Sequence, residues 1–190
     1  GWSANVPDAL DLPYLDRPET VTIQGEQVRL RPFQIIVWVS VHMKGVADLE
    51  PNAPRFPAIL DTGNNFTFTI TERQLVRWAG IRPGLLRLLG PVVLNDIEME
   101  RRAANVWIHS NRRGQRHALK PSASYRLELD RGLAIYPDDA RRPGPRLPLL
   151  GVRALDDNSL DLRINARRRS VTLKAGRWPP SWFPLFRTDS

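Results

Sequence analysis

One carboxylate stands out in the sequence because strand-forming residues flank it on both sides. Asp61 follows the apolar run 58–60 and precedes Thr62 and Gly63, and the β-forming run 66–70 then leaves this turn. Carboxylates are rarely buried without partners. Asp and Gly are also favoured in surface turns. The triplet alone therefore allows two interpretations, a hairpin turn at the surface or a catalytic aspartate on a rigid loop.

Other kinds of catalytic chemistry find little support in the residue types. The chain has no cysteine, so thiol nucleophiles, thiolate metal sites and disulfides are absent. Neither a Gly-x-Ser-x-Gly motif nor a phosphate-binding Gly-rich Lys loop occurs. A metal site of His109, His117 and a carboxylate is an alternative, but a histidine on a strand or loop is more often structural. We expect no metal and no cofactor.

Length and composition are those of one globular domain with a core. The chain has 190 residues, of which 42% are hydrophobic and 25% charged, as is ordinary for a folded domain. Its net charge of +8 comes almost entirely from arginine. Nucleic-acid binding through Arg141-Arg142 and the run 167–169 is a third alternative. Runs of charge are usually solvated surface, so we do not expect it.

The elements that would position Asp61 are mostly short strands. The predicted strands are 21–23, 28–30, 33–43, 58–60, 66–70, 92–94, 97–99, 104–109, 125–129, 133–136, 160–164 and 171–173. The clearest helix is 71–80, where Thr71 and Gln74 form a capping-box pattern and Gly80 suits the C-terminal end. Residues 152–155 could add one helical turn. These patterns predict a mainly β domain.

Proline-rich segments predict the limits of this domain. We expect an extended lead-in at 1–20, the folded domain at 21–174, and a proline- and aromatic-rich tail at 175–190. No apolar run approaches the roughly 20 residues that span a bilayer. The absence of cysteine suits a cytoplasmic protein without establishing the location. Because the sequence begins with Gly1 and not with Met, removal of an export or membrane segment is a further alternative.

The order of these features resembles the retropepsin-like aspartic proteases. Two segments carry the resemblance, namely Ile59-Leu60-Asp61-Thr62-Gly63 and Leu149-Leu150-Gly151. The segment 149–151 is similar to the apolar-apolar-Gly signature that packs behind the catalytic loop in this family. The resemblance covers roughly residues 21–173. It implies a closed β-barrel or sandwich with one short helix and one lobe per chain.

The resemblance also implies roles for the residues of the turn. Asp61 would be the catalytic carboxylate, and Thr62 would donate a hydrogen bond across a subunit interface. Gly63 would let the backbone approach the centre of the site. Asn64 stands where the family usually has Ala or Ser, and we expect it near the substrate, where it could donate to the outer oxygen of Asp61.

A hairpin at 92–99 would be the flap that closes over a bound peptide. Its tip, and hence further substrate contacts, would be Leu94, Asn95, Asp96 and Ile97. The glycines that the family has at this tip are missing here. A second candidate for the flap is the turn 111–115, which contains Gly114.

Peptide hydrolysis by this family needs two carboxylates that share one proton. The chain contains one Asp-Thr-Gly and no second Asp-Thr-Gly or Asp-Ser-Gly. The second carboxylate would therefore be Asp61 of another copy in a two-fold homodimer. We expect an aspartic endopeptidase acting on polypeptides. The alternative is a catalytically silent dimerisation or peptide-binding module with the same fold.

Overall fold

The computed structural model describes residues 10–94, 96–138 and 143–175. It is 53% strand and 9% helix, which confirms the predicted mainly β class. The strands are β1 (Leu10–Pro13), β2 (Glu19–Ile23), β3 (Glu26–Leu30), β4 (Ile36–Met43), β5 (Phe56–Asp61), β6 (Phe68–Thr71), β7 (Leu88–Leu94), β8 (Ile97–Arg102), β9 (Ala104–Arg112), β10 (Gln115–Leu127), β11 (Leu133–Tyr136), β12 (Leu149–Gly151), β13 (Leu160–Asn165) and β14 (Ser170–Ala175). The helices are α1 (Glu72–Arg77) and α2 (Val152–Asp157), with a 3-10 turn at Pro83–Leu85.

Nine strands form one sheet in the order β10-β9-β4-β5-β12-β6-β11-β8-β7. Its pairs are antiparallel except β5 with β12 and β6 with β11, which are parallel. A barrel closes only when its first and last strands share hydrogen bonds. Among the described residues β7 pairs only with β8, and β10 pairs only with β9. Over the described residues the sheet is therefore open, and the predicted closed barrel is not found.

Two smaller sheets complete the strand pairing. One has the order β1-β14-β13, and the other is the hairpin of β2 and β3. β1 belongs to the predicted lead-in 1–20, yet Leu10 is paired with Leu173 and Leu12 with Val171. The lead-in is thus tied to the far end of the predicted domain. The predicted tail 175–190 lies, apart from Ala175, outside the described residues.

The described part of the chain has two α-helices, whereas the sequence predicts one clear helix. α1 begins after Thr71 with the predicted capping box, in which the backbone N–H of Gln74 donates to Thr71 Oγ1 at 3.1 Å. α2 extends the single helical turn expected at 152–155 to Asp157. Its last turn is stabilised by Asn158, whose Nδ2 donates to the carbonyl oxygen of Ala154 at 2.8 Å. This hydrogen bond satisfies a carbonyl that the helix end leaves open.

The hydrophobic core lies against the centre of the large sheet. Fully buried side chains come from β4, β5, β6, β12 and α1 and include Ile36, Phe56, Phe68, Ile70, Leu75 and Leu150. Each such side chain stabilises the fold by roughly 1.5–3 kcal/mol through burial. Strands β5 and β12 are therefore held rigidly where they carry the candidate site. Neither described helix has the length and apolar character needed to cross a membrane.

Candidate active site

Asp61 is the last residue of β5, and the strand anchors it. Phe56, Ala58 and Leu60 of this strand are buried, whereas Asp61 is half-buried. The main chain at Leu60 is held by a hydrogen bond from its N–H to the carbonyl oxygen of Ile35 at 2.9 Å. The strand thus fixes the direction in which the carboxylate leaves the sheet.

The turn after β5 holds one oxygen of the Asp61 carboxylate. The backbone N–H of Gly63 donates to Asp61 Oδ1 at 2.9 Å, and the N–H of Asn64 donates to the Asp61 carbonyl at 3.2 Å. A Cβ at Gly63 would lie 3.3 Å from Oδ1, which is a tight contact. No described residue hydrogen-bonds the other oxygen, Oδ2. One oxygen is therefore fixed and the other is open to a ligand or a proton donor.

The segment 149–151, which the resemblance places behind the catalytic loop, lies beside this turn. In the parallel pair of β5 and β12, Gly151 is opposite Asp61 and Leu150 is opposite Leu60. A Cβ at Gly151 would be 1.9 Å from the carbonyl oxygen of Phe66 and 2.7 Å from that of Asn64. Only glycine fits at this position.

Strand β12 also holds the far side of the Asp61 loop. Leu149 is opposite Thr69 and Leu150 is opposite Phe68 in an antiparallel pair with β6. The N–H of Gly151 donates to the carbonyl oxygen of Thr67 at 3.0 Å. The segment 149–151 therefore lies between the strand that enters the Asp61 turn and the strand that leaves it.

Asn64 points along its own loop and not at the carboxylate. Its Oδ1 accepts from the N–H of Phe66 at 3.1 Å, and its Nδ2 donates to Thr69 Oγ1 at 3.4 Å. The hydrogen bond to Asp61 suggested by the resemblance is not formed. Thr62 is exposed and makes no hydrogen bond with the described residues, so its role across a subunit interface stays a prediction.

The predicted flap hairpin contacts the candidate site through an apolar cluster. β7 and β8 pair with Leu94 opposite Ile97, and Asp96 has a φ of 61°, which suits a tight two-residue turn. Asn95 lies outside the described residues. Phe66, five positions after Asp61, packs in a cluster of apolar residues from this hairpin and β11. The cluster comprises Phe66, Val92, Leu94, Ile97, Met99, Ala134 and Tyr136.

The second flap candidate is tied to a different part of the molecule. The turn between β9 and β10 is held to β1, because Asn111 Nδ2 donates to the carbonyl oxygen of Asp11 at 2.9 Å and Arg113 Nε donates to Asp11 Oδ2 at 3.2 Å. Gly114 has the positive φ of 72° that this turn needs. These contacts favour the 92–99 hairpin over the 111–115 turn as the element next to Asp61.

The two histidines of the alternative metal site belong to separate hydrogen-bond networks. His109 Nε2 is 2.8 Å from Ser40 Oγ. His117 Nδ1 accepts from Trp38 Nε1 at 3.1 Å, and its Nε2 is 2.7 Å from Glu19 Oε2. Within the described ranges no group of three His, Cys, Asp or Glu side chains could hold a metal ion.

An ion pair between a buried arginine and a half-buried glutamate is not visible in the sequence, where the arginine resembles the solvated ones. Arg116 is 4% exposed and donates to Glu19 Oε2 at 2.8 and 3.1 Å. Its third contact is to the carbonyl oxygen of Gln34 at 3.4 Å. The next residue, Ile35, accepts from the N–H of Leu60. Arg116 thus supports the main chain directly behind Asp61, and no local sequence signal predicts this.

Comparison of the chain with protein-family models, with curated proteins and with solved structures finds no match to any of the three.

Proposed function

We propose that this protein is an aspartic endopeptidase that works as a two-fold homodimer with one Asp61 from each copy. The observation that carries the proposal is the setting of Asp61. It is half-buried at the end of a rigid strand, has one oxygen held by Gly63, and lies opposite Gly151, where no side chain fits. A surface turn would not require a glycine on a neighbouring strand far along the chain.

The chemistry follows from two such carboxylates sharing one proton with a water between them. The ionised carboxylate takes a proton from the water, and the oxygen of that water bonds to the scissile carbonyl carbon. The protonated carboxyl donates to the carbonyl oxygen, which becomes a hydroxyl. The tetrahedral intermediate then collapses and the carbon–nitrogen bond breaks. The carboxyl that took the water proton gives it to the leaving nitrogen, and the other carboxylate takes back the hydroxyl proton as the carbonyl re-forms, which restores the shared proton.

The exposure of the turn supports a second copy as the source of the other carboxylate. Thr62 and Gly63 are exposed and Asp61 is half-buried in the single chain. The sequence has no other Asp-Thr-Gly or Asp-Ser-Gly. A two-fold axis beside the turn would bring two identical carboxylates together and cover both turns.

The flap hairpin supports an extended polypeptide as the substrate. β7 is an edge strand, so its outer backbone groups are available to pair with an extended chain. Its side chains Leu88 and Val93 are 53% and 65% exposed. Leu94 and Ile97 pack in the same apolar cluster as Phe66, which connects the position of the hairpin to the Asp61 turn.

The decisive experiment compares wild type and Asp61→Asn on a mixed peptide library between about pH 4 and pH 8, with products read by mass spectrometry. The variant replaces one oxygen by an amide and removes the shared proton at nearly constant size. Asp130→Asn is the matched control, because Asp130 also lies in a turn two residues before a glycine. We expect cleavage by wild type and Asp130→Asn and none by Asp61→Asn.

Two other outcomes would contradict the proposal. Equal cleavage by Asp61→Asn would assign the activity to another site or to a contaminant. A folded wild-type dimer that cleaves nothing would favour the catalytically silent dimerisation or peptide-binding module. The homodimer is tested separately by sedimentation and by specific activity on dilution, which should fall as monomer forms.

A further inference from the structure

A cavity lies on the large sheet away from the candidate active site. It has a volume of about 510 Å³, within the range of small-ligand sites. The residues that matter for its chemistry are Asp48, Glu50, Arg55, Trp107, His109 and Leu119. Arg55 precedes β5 and Asp61 ends it, so the strand separates the two by roughly 20 Å at about 3.3 Å per residue.

His109 presents a hydrogen-bond acceptor at this cavity. Ser40 Oγ donates to the carbonyl oxygen of Pro54 at 2.6 Å, so it must accept from His109 Nε2 at 2.8 Å. The proton of the neutral ring is thus on Nε2, and Nδ1 keeps its lone pair. No described residue donates to Nδ1. Burial, assisted by the nearby charge of Arg55, lowers the pKa of His109 to about 4, so the ring is neutral at physiological pH.

Arg55 supplies a positive charge that has no partner among the described residues. It is half-buried, lines the cavity, and makes no ion pair or hydrogen bond with any other described residue. Its guanidinium group has the fork geometry that binds a carboxylate through two hydrogen bonds. Asp48 and Glu50 are exposed and supply negative charge on the same cavity. The lining therefore offers charges of both signs.

The remaining lining is apolar except for Ser124. Trp107 is 8% exposed, and its indole N–H is buried without an acceptor in the described part of the chain. Buried donors nearly always have a partner, so an unused one calls for an explanation. Leu119, Pro51 and Pro121 add apolar surface. A ligand that fits would combine an apolar body, both charges, and main-chain donor and acceptor groups.

We propose that this cavity binds a short apolar peptide with free termini. Its carboxylate pairs with Arg55, its ammonium group is attracted by Asp48 and Glu50, and its side chains pack on Trp107 and Leu119. The peptide N–H donates to His109 Nδ1. Peptides of this kind are products of peptide hydrolysis, but the binding does not depend on the proposed function.

The test uses the dipeptide leucyl-leucine as the probe, titrated calorimetrically into the full chain. The protein carries Asp61→Asn so that cleavage cannot consume the probe, and failure of the catalytic proposal leaves the result unaffected. We expect saturable binding. The N-acetylated dipeptide and the dipeptide amide, which each lack one charge, should bind at least about tenfold more weakly.

Variants locate the binding. Arg55→Gln should weaken it by at least about tenfold, whereas Arg167→Gln, in the exposed turn between β13 and β14, should leave it unchanged. The indole resonance assigned by its loss in Trp107→Phe should shift as the dipeptide is added. The proposal is overturned by no binding up to roughly 10 mM. It is also overturned by unchanged binding in Arg55→Gln, or by equal binding of the blocked peptides.

Discussion

Replacing Gly151 by Ala tests the close contact between β12 and the Asp61 loop. Gly151 has a φ of −89°, which any residue adopts, so the effect of the change is steric and not conformational. The added Cβ would lie 1.9 Å from the carbonyl oxygen of Phe66 and 2.7 Å from that of Asn64. Both are backbone atoms, and neither can rotate away.

The size of the effect follows from the movement required. Real Cβ contacts are essentially never shorter than 3.0 Å, so the loop or β12 must shift by about 1 Å. Overpacking of this kind typically costs about 1–3 kcal/mol, and we expect the upper end because the clash is with backbone. For a chain of this length about 3 kcal/mol lowers Tm by roughly 6–12 °C. If Asp61 is catalytic, the displacement should also reduce activity by roughly 100-fold.

The assay is thermal unfolding followed by circular dichroism, with two other glycine variants measured in parallel. In Gly84→Ala the new Cβ has no atom within 4 Å, so Tm should stay near that of wild type. In Gly63→Ala the nearest atom is a side-chain oxygen at 3.3 Å, and an intermediate loss is expected. A Tm for Gly151→Ala within about 1 °C of Gly84→Ala would refute the close packing of β12 on the loop.

Two further predictions concern the contributions of His109 and Asn64 to stability. Burial lowers the pKa of His109 from 6.5 to about 4, so below pH 6.5 the unfolded chain takes up a proton before the folded one does. Its contribution to stability, on the order of 3 kcal/mol, is thus complete above pH 6.5 and lost as the pH falls to about 4. In denaturant titrations across this range, His109→Gln should show a flatter decline than wild type, and an equal decline would contradict the assignment. Asn64→Ala removes the acceptor of the Phe66 N–H and should lower the free energy of unfolding by about 1–2 kcal/mol, with Asn64→Asp, which keeps the acceptor, losing less. Equal urea midpoints for the two Asn64 variants would disprove this role.

Features that depend on residues close in the chain are predictable from the sequence. The capping box of Thr71 and Gln74 joins residues three apart, and β11 has the predicted bounds 133–136. The hairpin of β7 and β8 forms around the predicted turn, although both strands are longer than expected. These features depend on alternating apolar residues and on turn residues within a few positions of one another. A single sequence is therefore enough to predict them.

In the candidate site, too, only the features formed by residues close in the chain are predictable. Asp61-Thr62-Gly63 is recognisable because the strand, turn and strand are contiguous. That Gly151 lies opposite Asp61 follows only from the pairing of β12 with β5, which joins segments far apart in the chain. The sequence alone allows the side chain of Asn64 to reach the carboxylate, but in the fold the N–H of Phe66 and the hydroxyl of Thr69 compete for it.

Contacts between distant parts of the chain decided the sheet order, the sheet edges and the burial of Arg116. β1 joins β14, the large sheet stays open, and Arg116 is buried against Glu19 behind Asp61. Local patterns carry no information on which strand becomes an edge or which arginine finds a carboxylate at a distant position in the chain. The sequence by itself therefore determined the β class, the turn that carries Asp61 and the capped helix. The tertiary structure determined what surrounds them, because strand pairing and burial depend on contacts between distant parts of the chain.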